Sequence, residues 1–156
     1  MKKNLLSVAV AASAAGVASL STAQMYLNSE GTGEALVFPF YSAQGGNDTY
    51  IQIGNTTSHY KAVRVRVVEG KAGLGAAEFN LYLSPEDHFS FAITSDGDGA
   101  RMLTGDSSCT VPQITGPVSF SDALWGGADE SREQMGYLEV IEMGQIAATS
   151  DTAADI

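Results

Sequence analysis

A single cysteine, Cys109, rules out any disulfide within the chain, so a packed core must hold it folded. An odd cysteine in an exported chain points to an intermolecular bond, a free thiol, or a partner cysteine outside this segment. A buried, inert thiol is the plain alternative. Histidine is nearly as scarce: His59 and His88 are the only two. Each lies at the edge of an expected strand, and no Cys/His spacing resembles a zinc site. No Gly-x-Ser-x-Gly elbow or other catalytic signature occurs, so the expectation is a non-enzymatic protein without a resident cofactor. Basic residues are also few, 8 against 18 acidic, for a formal charge of -10. So negative a surface repels phosphate backbones and argues against nucleic-acid binding, leaving cations or a basic partner open. With 17% charged and 44% hydrophobic residues, the composition argues against wholesale disorder.

Long apolar runs are missing too, apart from one short stretch at the start. Lys2 and Lys3 precede an alanine-rich apolar core over Leu5 to Val17, and Ser21-Thr22-Ala23 supplies small residues before a cut. Residues 1–23 therefore read as a signal peptide cleaved between Ala23 and Gln24. The core is shorter than the ~20 residues needed to span a bilayer. Export to the periplasm, outer surface or medium of a bacterium is expected. Without residues 1–23 the charge becomes 6 basic minus 18 acidic, or -12. Residues 24–33 are polar and loose, 34–144 form the folded domain, and 145–156 read as a linker or a truncated continuation.

What the chain does contain is period-two alternation, which puts one strand face in a core and the other in water. The stretch from Thr49 to Thr94 holds four such runs. Ile51 and Ile53 share a face in the first, and Val63, Val65 and Val67 in the second. Phe79, Leu81 and Leu83 do so in the third, and Phe89, Phe91 and Ile93 in the fourth. Polar turns separate them. An earlier strand over 34–41 carries Leu36, Phe38 and Phe40 on one face and breaks or lies at an edge at Pro39. A short strand is expected at 101–103, an irregular extended piece at 107–112, a further strand at 117–120, one short helix around 129–134, and a last strand at 136–143 with imperfect alternation. The fold predicted is all-β, an antiparallel β-sandwich, immunoglobulin-like in general architecture. Its core comprises Phe38, the eleven residues of the four central runs, Leu138 and Val140.

The segments Gly-Asn-Asp-Thr-Tyr-Ile-Gln-Ile-Gly-Asn-Thr-Thr (46–57), Lys-Ala-Val-Arg-Val-Arg-Val-Val-Glu-Gly (61–70), Phe-Asn-Leu-Tyr-Leu-Ser-Pro-Glu-Asp (79–87) and Gly-Tyr-Leu-Glu-Val-Ile-Glu-Met-Gly (136–144) together resemble a group of uncharacterised secreted β-rich proteins of Gram-negative bacteria. The resemblance spans most of 34–144. It implies export and β structure, brings no activity and no site residues, and those proteins are generally longer.

Three features are candidate sites. Asp96 and Asp98, in Ser-Asp-Gly-Asp-Gly, could wrap a hard cation such as calcium or merely form a tight turn. Trp125, beside Gly126-Gly127, could stack on a sugar or partner, or cap the core. Asn47-Asp48-Thr49 and Asn55-Thr56-Thr57 match a glycosylation pattern but read as polar turns. The function expected is an exported structural, adhesive or interaction module of a larger envelope or surface protein. Its partner is a protein or envelope component, and no membrane span is expected after the signal. The alternative is a glycan- or calcium-binding module, or an accessory domain of an exported enzyme.

Overall fold

The structure, a computed structural model, describes residues 28–127 and 129–147, with the Trp125 side chain outside the description. The expected signal peptide with its Ala23–Gln24 junction, and the tail from residue 148, lie outside the described residues. The chain divides into two units, residues 1–30 and 31–156. Of the first, only a turn at 28–30 is described, in which the Asn28 side chain accepts the Glu30 N–H.

The alternating runs become strands. They are β1 (Ala35–Ser42), β2 (Thr49–Gly54), β3 (Tyr60–Glu69), β4 (Gly75–Leu83), β5 (His88–Asp96), β6 (Gly99–Leu103), β7 (Cys109–Val111), β8 (Val118–Ser119) and β9 (Met135–Ile146). They form two antiparallel sheets, β1-β9-β3-β4-β7 and β2-β5-β6-β8, packed as a β-sandwich. Valine, isoleucine and phenylalanine suit this pleated, half-buried setting. The inner faces are those the alternation predicts: Ile51, Ile53, Val63, Val65, Val67, Phe79, Leu81, Leu83, Phe89, Phe91, Ile93, Leu138 and Val140 are all buried. Burial of each contributes ~1.5–3 kcal/mol relative to exposure. Phe79 of the first sheet meets Phe89 and Phe91 of the second, with ring centroids 5.9 and 6.3 Å away. These aromatic contacts tie the two layers together.

A buried side chain also locks the turns at one end. The Asn55 amide donates to the carbonyls of His59 (2.6 Å) and Ser84 (2.7 Å), while its oxygen accepts the Thr57 N–H and hydroxyl. It joins the β2–β3 connection to the β4–β5 turn, a structural job for a residue of the Asn-Thr-Thr motif.

Four expectations need correction. Phe40 does not share a face with Leu36 and Phe38: the β1–β9 register slips between Phe38 and Tyr41, so Phe40 is 64% exposed and Tyr41 is fully buried instead. A β-bulge inserts a residue and inverts the alternation beyond it. Phe38 itself is only partly buried, packing against the core. The expected helix is a pair of short 3-10 turns, Ala123–Trp125 and Glu130–Gln134. Gly126, left-handed with φ 78°, ends the first. The last strand runs on to Ile146, pairing with Tyr60, and its register slips opposite Ala62/Val63.

β1 is an edge strand among the described residues, since it pairs with β9 alone. The Glu142 N–H donates to the Glu34 carbonyl at 2.7 Å. Antiparallel alternation then turns the N–H and C=O groups of Ala35 and Val37 away from β9. By the same count, Pro39 lies where its missing N–H costs no ladder bond.

Candidate functional site

Two regions border this edge, one closed and one open. The closed one is built on the 3-10 turn Glu130–Gln134, which bonds to both sheets. Glu69, at the end of β3, is fully buried. Its carboxylate accepts the N–H groups of Lys71 (2.8 Å), Ala72 (2.8 Å) and Leu74 (3.1 Å). Arg132 completes the set with two bonds, from Nε at 3.2 Å and from Nη2 at 2.8 Å. Burial alone would raise the Glu69 pKa, but the guanidinium and the backbone N–H groups outweigh it and hold the carboxyl at about 2.

The neighbouring Glu133 does the opposite. It too is buried, with Oε2 accepting the Ala100 N–H of β6 at 3.2 Å. Burial pushes its carboxyl up, and the acids Asp122, Glu130 and Asp96 add to the push. The Tyr41 hydroxyl donates to the Glu133 carbonyl at 2.8 Å, and burial raises that phenol as well. Two glycines make room. A Cβ on Gly99 would stand 2.6 Å from Glu133 Oε2, and one on Gly136 would collide with the Val68 carbonyl and the Tyr41 ring.

Beside this corner lies the open region, a cleft of about 630 Å³. β1 contributes Pro39 and Phe40, β9 contributes Met135, Gly136 and Tyr137, and the β3–β4 turn contributes Gly70 and Lys71. Asp129, Ser131, Arg132 and Gln44 complete the lining. Phe40 and Met135 are exposed apolar side chains, and Val37 continues the apolar surface along β1. Lys71 Nζ sits 3.3 Å from Asp129 Oδ2, placing an ion pair in the cleft lining. The Ser131 hydroxyl and Lys71 hold the Asp129 carboxyl below its usual range.

Charge elsewhere is largely spoken for. Each of the six basic side chains beyond Lys3 has an acidic partner: Lys61–Glu142, Arg64–Glu78, Arg66–Glu139, Lys71–Asp129, Arg101–Asp96 and Arg132–Glu69. Among the described residues the acids outside these six pairs carry the excess negative charge.

The sequence candidates scatter. Asp96 closes β5 and Asp98 lies in the turn that follows. The Asp96 carboxylate accepts the Ser119 hydroxyl at 2.7 Å and faces Arg101 at 3.6 Å. Among the described residues, no group of three or more His, Cys, Asp or Glu could hold a metal ion. Trp125 belongs to a 3-10 turn, and its side chain lies outside the description. His59, just before β3, and His88, the first residue of β5, are both exposed. Cys109 is half-buried on β7, opposite Tyr82, and has no disulfide partner among the described residues. Among those residues no helix is long and apolar enough to cross a membrane.

The Glu69–Arg132 pair was missed because Glu69 reads as the first residue of a turn, 63 positions from its partner. The cleft was missed because it depends on the bulge that turns Phe40 outward. Compared with known proteins, the chain matches no family model, no curated protein and no solved structure.

Proposed function

We propose that this chain is an exported, non-enzymatic interaction module of an envelope or surface protein, and that it takes an extended polypeptide onto the edge of β1. One observation carries the reading: the backbone groups of Ala35 and Val37, unpaired among the described residues, belong to the strand whose Pro39 and exposed Phe40 line a cleft together with the exposed Met135. Main-chain bonds to a sheet edge supply affinity, and a flanking pocket for alternate side chains supplies selectivity. The thioether of Met135 suits a surface that adapts to its partner. The uncompensated acids favour a basic segment over an acidic one. They also oppose a second copy of the same acidic chain.

A random peptide library selected against the purified chain tests this. Peptides alternating apolar and basic residues are expected, and Phe40→Ser or Val37→Lys should weaken them at least tenfold. An absence of enriched peptides, or equal binding by both variants, sinks the reading. Export is tested separately by the intact mass of the protein from its host, where a form beginning at Gln24 is expected and retention of Met1 overturns it.

A further inference from the structure

A second unfilled surface lies on the other sheet, away from β1. On the outer face of β2-β5-β6 the register sets Tyr50 opposite Ala92, and Ala92 opposite Leu103. Neighbouring strands are ~4.8 Å apart, so the two large side chains stand roughly 10 Å from one another across an alanine floor. The next row pairs Gln52 with Ser90. The result is a trough of about 510 Å³, continued by Thr104 and Gly105.

Its chemistry differs from the rest of the molecule. Tyr50 is 80% exposed, the most exposed large hydrophobic residue on the described surface. Among the described residues no carboxylate, ammonium or guanidinium lines the trough, although the chain as a whole carries -10. One acid, Asp106, borders the lining and is bonded to it through Ser90 and Thr104. Asp106 accepts from the Ser108 hydroxyl and N–H and from the Ser90 N–H, and Arg101 pairs with Asp96. The Tyr50 hydroxyl, the Gln52 amide and the Ser90 hydroxyl have no protein partner among the described residues, whereas the Thr104 hydroxyl is held by the Ser90 carbonyl.

We infer that this trough is a binding site for a neutral polysaccharide chain. An exposed aromatic ring offers an apolar face for the C–H side of a sugar and a hydroxyl at its tip. An amide and two hydroxyls can both donate and accept, as a polyhydroxylated ligand requires. A floor of small side chains lets the ring plane approach the sheet, and Leu103 closes the opposite side. The lack of ionised groups in the lining selects against uronic or phosphorylated sugars, which would meet a protein of their own sign without a compensating cation.

Native electrophoresis of the full chain through gels containing dextran, galactomannan, hydroxyethylcellulose or alginate tests the inference. Retardation is expected in at least one of the three neutral polymers and not in alginate. Tyr50→Ala should weaken it at least tenfold, Tyr50→Phe should retain it, and Ala92→Leu, which fills the floor, should abolish it. Tyr50 is so exposed that its removal leaves folding intact, which circular dichroism verifies, so the result stands even if Ala92→Leu misfolds. Migration unchanged in all three neutral polymers overturns the site, as does equal retardation of wild type and Tyr50→Ala. Phe40→Ser on the other sheet should leave the retardation unchanged, which separates this site from the β1 edge.

Discussion

The corner around Glu69 and the trough around Tyr50 are opposites in how they use polar atoms. At the corner, five donor bonds converge on one buried carboxylate, and two glycines are needed to let the pieces meet. On the trough, an amide and two hydroxyls have no partner among the described residues, and an aromatic ring stands in solvent. A buried group without its partner costs far more than an exposed one. Density of internal bonding therefore marks where the fold is held, and its absence marks where another molecule could be received. Substitutions should separate the two kinds of region cleanly.

Gly136→Ala should have the largest effect, because the new Cβ meets the Val68 carbonyl and the Tyr41 ring at once. A loss of ~3 kcal/mol or more is expected in urea denaturation. Stability within ~0.5 kcal/mol of wild type would mean that the β9–β3 approach is looser than described. Next is Arg132→Ala, which leaves Glu69 buried without its cation. A loss of ~3–5 kcal/mol is expected, while Lys71→Ala, at the exposed pair nearby, should leave the melting temperature unchanged.

The pH dependence sharpens the same contrast within the corner. Glu69 has its carboxyl pKa lowered from 4.5 to about 2. Its contribution is therefore fully present above the unfolded value and is lost as pH falls from about 4.5 through 2, amounting to ~3 kcal/mol. Glu133 has a raised pKa, so its sign is reversed: its contribution is full below the unfolded value and is lost as pH rises through the folded one. Melting followed from pH 2 to 7 should show the acid-side loss in wild type and a much flatter limb in Glu69→Gln. An unchanged acid limb in that variant would show that other carboxylates carry it.

Two small effects complete the comparison. Tyr50→Ala should change stability by no more than ~0.5 kcal/mol, because the side chain packs little. A larger loss would move Tyr50 from the open class to the closed one. Millimolar calcium should not shift the melting temperature, since Asp96 is already engaged by Ser119 and Arg101. A shift that disappears in Asp98→Asn would restore the cation reading.

How far these regions were legible depends on the range of the interactions. Strand faces follow from adjacent residues, so Val63, Val65 and Val67, or Phe89, Phe91 and Ile93, could be assigned to the core directly. Strand neighbours could not: β3 pairs with β9 far along the chain, Glu69 with Gly136 and Tyr60 with Ile146, and no local pattern states that choice. Bulges are equally silent, so Phe40 and Tyr41 exchanged places. The candidate surfaces were less legible still. The β1 cleft requires that slip, and the trough requires Ala92 to fall between Tyr50 and Leu103, strands that meet only after folding. Glu69 looked like any acidic turn residue until Arg132 was brought to it.

The proline on β1 has a further consequence. An open strand edge is a template on which copies of a chain can stack without limit, and proteins blunt such edges with proline, charge or a bulge. Here Pro39 and the slip beside it cut the usable ladder short just after Val37, and Tyr41 turns back into the core. What remains before the break is the short ladder of Ala35 and Val37, which disfavours the repeated stacking that builds a fibre. Replacing Pro39 would lengthen that ladder, turning a self-limiting edge into one where a single docking event could seed the next.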